Sequence, residues 1–552
     1  MTEFYDEEKA GRLHPDEKDV NVDVGSAQGS TELVDEKPAQ NGGILDTLCG
    51  WEATLDRKLG IESQAIRRKL PEEKVPQKWH NQAVMALLWS GGIMNLSCMS
   101  TGFLGPSWGL TLGQSIVITI FGTLLGSSVA GWCATLGPGT GLRSMSITRY
   151  SFGWYPTKLI AVLNIISQAG WSAVGCITGG LALTAVSDGK VSSALGCVII
   201  ALCSSVINFC GLKAILYYEK YAWLVFFIVF MIMYGMAAPH AVDIPGTKLH
   251  GANLAGNVLS LLSVVYGSSC SWATIAADYY VHYPINTSKV KVFTLCTLGI
   301  SIPTCIGMVL GCCIGSVLNV NDQWSNSYED GLGYLIQTIL FPRGFAKFIL
   351  VLLVLSAVGM NALNLYSCAL SIQQFARPLA RVPRTFWVLV VFGAVTAIAV
   401  AGRDHLLEYL ENFLSLLGYW GTSYFVIVFL EHYWFRKGDF ANYDLDGWNT
   451  PSKLPIGLAA LGAFLIGVVG WCLGMVETWF TGPLAKHIGE SGGDVANELT
   501  FAFTLLAYIP LRHLEYRYFQ EINSSNFLGA PYDIDDTKQH LGAGYNHRSG
   551  YR

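Results

Sequence analysis

Long apolar stretches separated by short polar loops make up most of this chain. Between Lys78 and Arg143 there is no Asp, Glu, Lys or Arg. This gap is long enough for two bilayer crossings joined by a turn, because one helix needs roughly 20 apolar residues to cross the hydrocarbon core. The whole pattern predicts an all-α integral membrane protein with twelve transmembrane helices, near residues 81–105, 111–135, 156–184, 192–212, 220–239, 256–278, 292–318, 345–374, 386–402, 410–433, 455–478 and 497–513.

The two ends of the chain are polar and lie outside these segments. We expect residues 1–78 to form an N-terminal tail that is disordered up to residue 43, because that part is acidic and poor in apolar side chains. Residues 51–70 mix apolar and charged side chains and predict an amphipathic helix on the membrane surface. Residues 79–516 then form the twelve-helix domain, and residues 517–552 form a polar C-terminal tail.

Lysine and arginine residues concentrate in alternate loops and so orient the predicted bundle. Cytoplasmic loops carry an excess of these residues. The other loops are poorer in cations and richer in acidic residues. The pattern therefore places both termini in the cytosol, and we expect the protein to lie in the plasma membrane. The basic loops are those around residues 143–158, 213–220, 289–291, 377–384 and 436–437.

Composition supports burial in a lipid bilayer and excludes several functional classes. Only 14% of residues are charged and mean hydropathy is +0.39, whereas a soluble domain has about 25% charged residues. We find no basic patch with interleaved aromatic residues, so no nucleic-acid partner is expected. The sequence contains no phosphate-binding loop, metal-ligand cluster or nucleophile–base pair that indicates catalysis. We therefore expect no enzymatic activity, no cofactor and no metal site.

Small and polar residues interrupt the first and sixth segments at matching places. Gly92 and Ser97 lie in the first segment, and Ser269 and Trp272 lie in the sixth. If the first five segments and the next five are inverted repeats, these interruptions are counterparts. Transporters with such repeats bind substrate where helices break near the bilayer midplane. The alternative is that small residues let neighbouring helices pack closely.

Two further segments carry polar or aromatic side chains far from the membrane surfaces. Gln168 and Trp171 lie in the third segment, where an indole is not placed as an interfacial anchor. Asn361 and Asn364 lie in the eighth segment, and residues three apart share one helix face. Their amides match the donor and acceptor edge of a flat heterocycle. Core packing and hydrogen bonds between helices are the alternatives.

Several short motifs recur in order between residues 57 and 517. They are the Asn361/Asn364 pair and residues 59–63 (LGIES), 137–143 (GPGTGLR), 149–154 (RYSFGW), 170–172 (GWS), 277–280 (ADYY) and 418–420 (GYW). In this order and spacing they resemble the fungal purine–cytosine permeases of the nucleobase–cation symporter-1 family. The resemblance implies a five-plus-five inverted repeat of the leucine-transporter type plus two extra helices. It also implies proton-driven import of a nucleobase or similar small heterocycle.

The resemblance also assigns roles to individual residues. By position, Trp171 and Trp272 resemble the two aromatic faces of the family's substrate site. Asn364 resembles the main amide on the substrate edge, and Asn361 its helper. Glu219, which opens the fifth segment, matches an acidic position of the family.

Acidic residues in or beside the membrane are the candidates for proton coupling, because ionisable groups there are costly and often functional. Glu219 and Asp278 are the two candidates. The alternatives are an ion pair of Glu219 with Lys213 or Lys220 and a structural role for Asp278 at a helix end. We expect Glu411 and Glu431, near segment ends, to be solvated.

Two departures from the family pattern affect the expected substrate. Gly175 stands where cytosine and purine carriers have Asn, and Leu363 stands where they tend to have Pro. The string containing Gly92 and Ser97 is also similar to the fungal vitamin B6 permease branch. The expected function is proton-coupled import of a purine or pyrimidine nucleobase. The alternatives are import of vitamin B6 or another small heterocycle, and a non-transporting nutrient sensor on the same scaffold.

Overall fold

The computed structural model describes residues 68–74, 86–87, 89–209, 212–243, 249–380 and 382–523. The predicted disorder of residues 1–43 and the tail beyond residue 523 lie outside this part of the chain. So does most of the predicted amphipathic helix at 51–70. Its last three residues are described, and they are not helical.

Each of the twelve predicted segments contains helix within the described residues. The first segment is helical over residues 89–93 and again in two short helices, α1 (Leu96–Thr101) and α2 (Leu104–Ser107). The other helices, in chain order, are α3 (Leu112–Ala134), α4 (Leu136–Thr140), α5 (Ser144–Phe152), α6 (Thr157–Val186), α7 (Ser193–Phe209), α8 (Leu212–Ala237), α9 (Gly251–Cys270), α10 (Ala273–Tyr280), α11 (Lys289–Leu318), α12 (Asp322–Asp330), α13 (Leu332–Ile339), α14 (Arg343–Phe375), α15 (Arg377–Ala380), α16 (Arg384–Gly402), α17 (Leu406–Leu430), α18 (Leu458–Gly474) and α19 (Ala496–Asn523).

Eight spans within the described residues are long and apolar enough to cross a membrane. Helices α7 and α18 are apolar but shorter. A short antiparallel hairpin of β1 (Val476–Glu477) and β2 (Phe480–Thr481), which the sequence did not predict, lies between α18 and α19. The eight spans are Leu112–Thr140, Thr157–Val186, Tyr221–His240, Gly251–Tyr280, Lys289–Leu318, Arg343–Phe375, Arg384–Gly402 and Leu406–Phe435.

Helices α6 and α14 pack together more extensively than most helix pairs and form the centre of the bundle. Helix α9 packs between α3 and α17. The approach of α9 to α17 is close because Gly267 has no side chain; a Cβ atom there would lie 2.0 Å from the carbonyl oxygen of Leu414. Such contacts between small residues replace the hydrophobic driving force that is missing inside a bilayer.

The expectation that Glu431 is solvated is wrong. Glu431 is 2% exposed, and its carboxylate lies 3.0 Å from Arg436 and 3.0 Å from Arg512. Tyr508 donates a further hydrogen bond to it. The two arginines repay the cost of burying this charge, so Glu431 joins the end of α17 to α19.

Candidate functional site

The first helix is interrupted at Met94 and Asn95. The backbone of Asn95 is extended, with φ −144° and ψ 173°, between residues 89–93 and α1. Its side chain accepts a hydrogen bond from the backbone amide of Cys98 and donates one to the carbonyl of Gly92. Asn95 therefore caps the second half of the broken helix and is attached to the first half. Its capping role was not predicted from the sequence.

The sixth segment is interrupted at the predicted counterpart, but less strongly. Helix α9 ends at Cys270 and α10 begins at Ala273. Ser271 and Trp272 between them keep right-handed helical dihedral angles. The predicted break is present in the first segment, whereas the sixth segment has only a turn with helical dihedral angles at the matching place.

Both predicted tryptophans are buried beside these interruptions. The indole nitrogen of Trp171 donates a hydrogen bond to the hydroxyl of Ser271 over 3.2 Å, which joins α6 to the turn of the sixth segment. The ring of Trp272 packs edge-on against Trp89 of the first helix, with 5.3 Å between ring centroids. The ring of Trp171 packs edge-on against Phe413 of α17, with 5.8 Å between ring centroids. The two indoles thus connect the third, first and tenth segments to the sixth.

The predicted amides lie on the central helix pair and keep unused hydrogen-bonding atoms. Asn361 donates to the sulfur of Cys176 over 3.1 Å, and Gln168 donates to Asn164 over 3.4 Å. Within the described chain, Oδ1 of Asn361, Nδ2 of Asn364 and Oε1 of Gln168 have no hydrogen-bond partner. All three residues are at most 2% exposed. Each unpaired polar group costs about 1–3 kcal/mol, so these atoms indicate a place for a polar ligand.

Gly175 allows α6 to approach the amide of Asn361. A Cβ atom at position 175 would lie only 2.3 Å from Oδ1 of Asn361. A glycine at position 175, where purine and cytosine carriers have Asn, therefore does more than remove one side-chain amide from the site. The glycine leaves room for Asn361 in the orientation that reaches Cys176.

The three predicted small residues mainly contact neighbouring helices. Gly92 faces Leu363, whose Cδ1 would lie 2.9 Å from an added Cβ atom. The hydroxyl of Ser97 lies 3.0 Å from the hydroxyl of Thr178 on α6. Ser269 lies against Gly126 of α3, and its hydroxyl has no partner among the described residues. Their roles in ligand binding stay predictions.

Glu219 lies on α8 between the first and eighth segments. It is 0% exposed. An added Cβ atom at Gly91 would lie 2.0 Å from Oε2, and one at Gly359 would lie 2.7 Å from Oε1. Neither oxygen has a hydrogen-bond partner in the part of the chain that the structure describes. The predicted alternative, an ion pair with Lys213 or Lys220, concerns side chains outside that part.

Asp278 makes a different kind of contact. Its Oδ1 accepts a hydrogen bond of 2.6 Å from the backbone amide of Ser144, the first residue of α5. Arg143 interacts with it electrostatically. These contacts favour the structural alternative, because a carboxylate at a helix N-terminus stabilises that helix. A proton-coupling role for Asp278 stays a prediction.

Among the described residues, no group of three or more His, Cys, Asp or Glu side chains is arranged to hold a metal ion. The site is instead built from indoles, amides, hydroxyls and one isolated carboxyl group. Such groups bind and orient a small polar ligand.

Comparison with known proteins gives one family. A family described as permeases for cytosine/purines, uracil, thiamine and allantoin matches residues 69–490. The chain is 37% identical to the purine-cytosine permease fcyB of Emericella nidulans over 473 residues, covering 84% of this chain and 91% of the relative. It is 33% identical to the vitamin B6 transporter TPN1 of Saccharomyces cerevisiae over 552 residues, covering 90% and 95%.

Solved structures identify the fold. The inward-facing conformation of Mhp1 superimposes with a TM-score of 0.61 at 15% identity and covers 83% of this chain and 96% of that one. Mhp1 closed around bromovinylhydantoin, described as a nucleobase-cation-symport-1 family transporter, gives 0.60 at 14% identity, covering 82% and 97%. At this identity the match concerns the fold alone, and it confirms the predicted inverted-repeat architecture.

Proposed function

The chain belongs to the permease family for cytosine/purines, uracil, thiamine and allantoin, and from this premise we propose that it imports a purine or pyrimidine nucleobase by alternating access. Cytosine, adenine and hypoxanthine are the first candidates. The observation that carries this proposal is the set of unpaired amide atoms of Gln168, Asn361 and Asn364 on the packed helix pair of α6 and α14, which also carries Trp171.

A nucleobase fits this set because it is flat and has alternating donors and acceptors on its edge. The free Nδ2 of Asn364 requires an acceptor, such as a ring nitrogen or carbonyl oxygen. The free Oδ1 of Asn361 and Oε1 of Gln168 require donors, such as a ring NH or an amino group. Stacking of a base on an aromatic ring contributes about 1–3 kcal/mol. Trp171 and Trp272 supply the two aromatic faces in this proposal.

Vitamin B6 is the second candidate substrate. Gly175 and Leu363 both depart from the pattern of purine and cytosine carriers, and a relative described as a vitamin B6 transporter covers 90% of this chain. Pyridoxine is also flat, and its hydroxyl groups supply donors for the oxygens of Asn361 and Gln168. Leu363 contacts Gly92, so the departure lies within the site.

Proton coupling through Glu219 completes the proposal. The carboxyl group touches Gly91, four residues before the break at Asn95, and Gly359, two residues before Asn361. A change in its charge therefore acts on both helices that hold the substrate. One charge moving down 100 mV supplies roughly 2.3 kcal/mol, which exceeds the cost of about 1.4 kcal/mol for tenfold accumulation. We place the protein in the plasma membrane with both termini in the cytosol.

Uptake measurements test this function. The protein is produced in cells that lack their own permeases, and radiolabelled cytosine uptake is measured with adenine, hypoxanthine, uracil, pyridoxine and nicotinamide as competitors. We expect saturable uptake that a nucleobase competes away and that a protonophore abolishes. Strong competition by pyridoxine alone establishes the second candidate. Surface-located protein that transports none of these compounds would contradict transport and favour a sensor.

Gly175→Ala is expected to raise the KM for uptake about tenfold, because the new methyl group displaces the amide of Asn361 and one ligand hydrogen bond is worth about 1.5 kcal/mol. The measurement is initial uptake rate against substrate concentration, normalised to protein at the cell surface. Gly235→Ala on α8 is the matched control, since no heavy atom lies within 4 Å of its added Cβ. An unchanged KM in Gly175→Ala would show that Asn361 does not contact the substrate.

A further inference from the structure

Asn164 on α6 is a buried amide with three side-chain hydrogen bonds. It is 1% exposed. Its Nδ2 donates to the hydroxyl of Ser371 on α14 over 2.8 Å, and its Oδ1 accepts from the hydroxyl of Thr274 on α10 over 2.7 Å. Oδ1 also accepts from Nε2 of Gln168, one turn further along α6, over 3.4 Å. Asn164 therefore joins the third segment to the sixth and the eighth, and it holds the amide of a proposed substrate-binding residue.

The two shorter bonds determine the orientation of Asn164. Each joins it to a different helix, and the hydroxyl groups of Thr274 and Ser371 are both on buried side chains. Rotating the amide of Asn164 by 180° would exchange the donor and the acceptor that these two hydroxyl groups meet. The orientation seen in the structure therefore presents the acceptor Oδ1 to Gln168.

The orientation of Asn164 in turn determines which end of the Gln168 amide stays available. Because Oδ1 of Asn164 can only accept, it bonds the Nε2 end of Gln168. The Oε1 end has no hydrogen-bond partner among the described residues, and Gln168 is buried. An unpaired buried acceptor is costly. A ligand group that donates to Oε1 is therefore favoured, and a group that can only accept is disfavoured.

Gln168 lies between two links from α6 to the turn of the sixth segment. The first link is the bond between Asn164 and Thr274. The second is the bond from the indole nitrogen of Trp171 to the hydroxyl of Ser271, over 3.2 Å. Residues 164, 168 and 171 are four and three positions apart, so they share one face of α6. Gln168 is therefore on the helix face that carries one aromatic wall of the proposed substrate site.

We propose that Asn164 is a positioning residue that sets the substrate preference of the central site. It holds Gln168 as an acceptor, so the site prefers bases with an exocyclic amino group over their keto counterparts. Adenine and hypoxanthine form such a pair, as do cytosine and uracil, since an amino group donates where a carbonyl oxygen only accepts. This preference rests on the proposed nucleobase transport and narrows its substrate class. Asn164 acts through Gln168 and does not itself contact the base.

Competition for uptake measures this preference. Initial uptake of radiolabelled adenine is measured in cells that lack their own permeases, with unlabelled adenine or hypoxanthine as competitor. The cytosine and uracil pair is measured in the same way. For the parent protein we expect the keto base to need about a tenfold higher concentration for half-inhibition, because it leaves Oε1 of Gln168 unpaired.

Asn164→Leu is expected to bring this ratio of half-inhibiting concentrations down to about one. Leucine has a similar shape but accepts no hydrogen bond, so the amide of Gln168 rotates and presents either end to the base. The amino base should lose affinity while the keto base keeps or gains it. An equal loss for both bases would show that Asn164 only supports helix packing, and it would overturn the proposal.

A double-mutant cycle shows whether Asn164 acts through Gln168. Gln168→Met removes the amide and should by itself abolish the preference for the amino base. Adding Asn164→Leu to Gln168→Met should then change the ratio no further, because residues that act as one unit are not additive. Independent effects of the two substitutions, or the parent's preference in either single variant, would refute the positioning role.

Variants of Thr274 test the same contact from α10, and they decide the matter if Asn164→Leu does not reach the cell surface. Thr274→Val removes the hydroxyl that donates to Asn164 and should lower the preference about threefold, whereas Thr274→Ser should keep it. Thr304→Val on α11 is the matched control, since this buried hydroxyl donates to the carbonyl of Ile300 within its own helix. The parent's preference in Thr274→Val would count against the role of Asn164.

The parent protein separates this role from the proposed function. Nucleobase uptake without a preference for the amino base would refute the role of Asn164 and leave the proposed transport intact. A surface-located parent that takes up no nucleobase would contradict the proposed function and the role of Asn164 together.

Discussion

Replacing Glu219 with glutamine is expected to remove proton-driven accumulation of substrate while leaving substrate binding intact. Glutamine has nearly the same shape, so it fits the space between Gly91 and Gly359, but it cannot gain or lose a proton. At 100 mV, one coupled proton supports roughly 50-fold accumulation, because 2.3 kcal/mol is available and 1.4 kcal/mol corresponds to tenfold. In the variant this ratio should approach one, since the substrate merely equilibrates.

The measurement is uptake to steady state in cells or proteoliposomes with an imposed acid gradient. Equilibrium binding of the same substrate to purified protein is measured in parallel. Glu329→Gln, an exposed acid on α12, is the matched control and should accumulate substrate normally. Full accumulation by Glu219→Gln would exclude this carboxyl group as the proton carrier. Asp278 would then be the remaining candidate.

Asn364→Ala is expected to raise the KM for uptake between about 10-fold and 100-fold, with protein still reaching the cell surface. The substitution removes the free Nδ2 donor, so an acceptor on the substrate is left unpaired in a buried site. Such a loss costs about 1–3 kcal/mol. Initial rates over a range of substrate concentrations separate this loss of affinity from a loss of turnover.

Asn208→Ala provides the control for damage to the eighth segment. Asn208 lies on α7, is buried, and donates a hydrogen bond of 2.9 Å to the carbonyl of Ala362, two residues before Asn364. The Asn208→Ala substitution removes a side-chain amide that packs α7 against α14, the helix that carries Asn364. If both variants change KM equally, the effect of Asn364→Ala comes from packing and the proposed contact with substrate is wrong.

The buried ion pairs of Glu431 show where reasoning from sequence failed for a structural reason. Its position near the end of a hydrophobic segment favoured solvation. Arg512 is 81 residues further along the chain and comes within 3.0 Å only because α19 packs against α17. No local pattern indicates which distant cation will neutralise a carboxylate, so burial of Glu431 could not be inferred.

The central site was more accessible to sequence reasoning. Asn361 and Asn364 stand out because amides are rare in an apolar helix, and their spacing places them on one face. The interruption of the first segment was visible as a run of Gly, Ser and Asn, although nothing in that run distinguished Asn95 as the cap. Trp89 begins the string of small and polar residues in the first segment but was assigned no role, because residue spacing does not show that its ring packs against Trp272.

The sequence by itself determined that this protein is a bundle of membrane helices, that its first segment is interrupted, and to which family it belongs. Those properties depend on local composition, since every lipid-facing turn must be apolar and every break must carry residues that tolerate it. Only the tertiary structure decided that Glu219 lies between Gly91 and Gly359 and that Glu431 is buried between Arg436 and Arg512. The physical reason is that the charge state and bonding of a buried carboxyl group depend on atoms brought together by helix packing, which residue spacing does not encode.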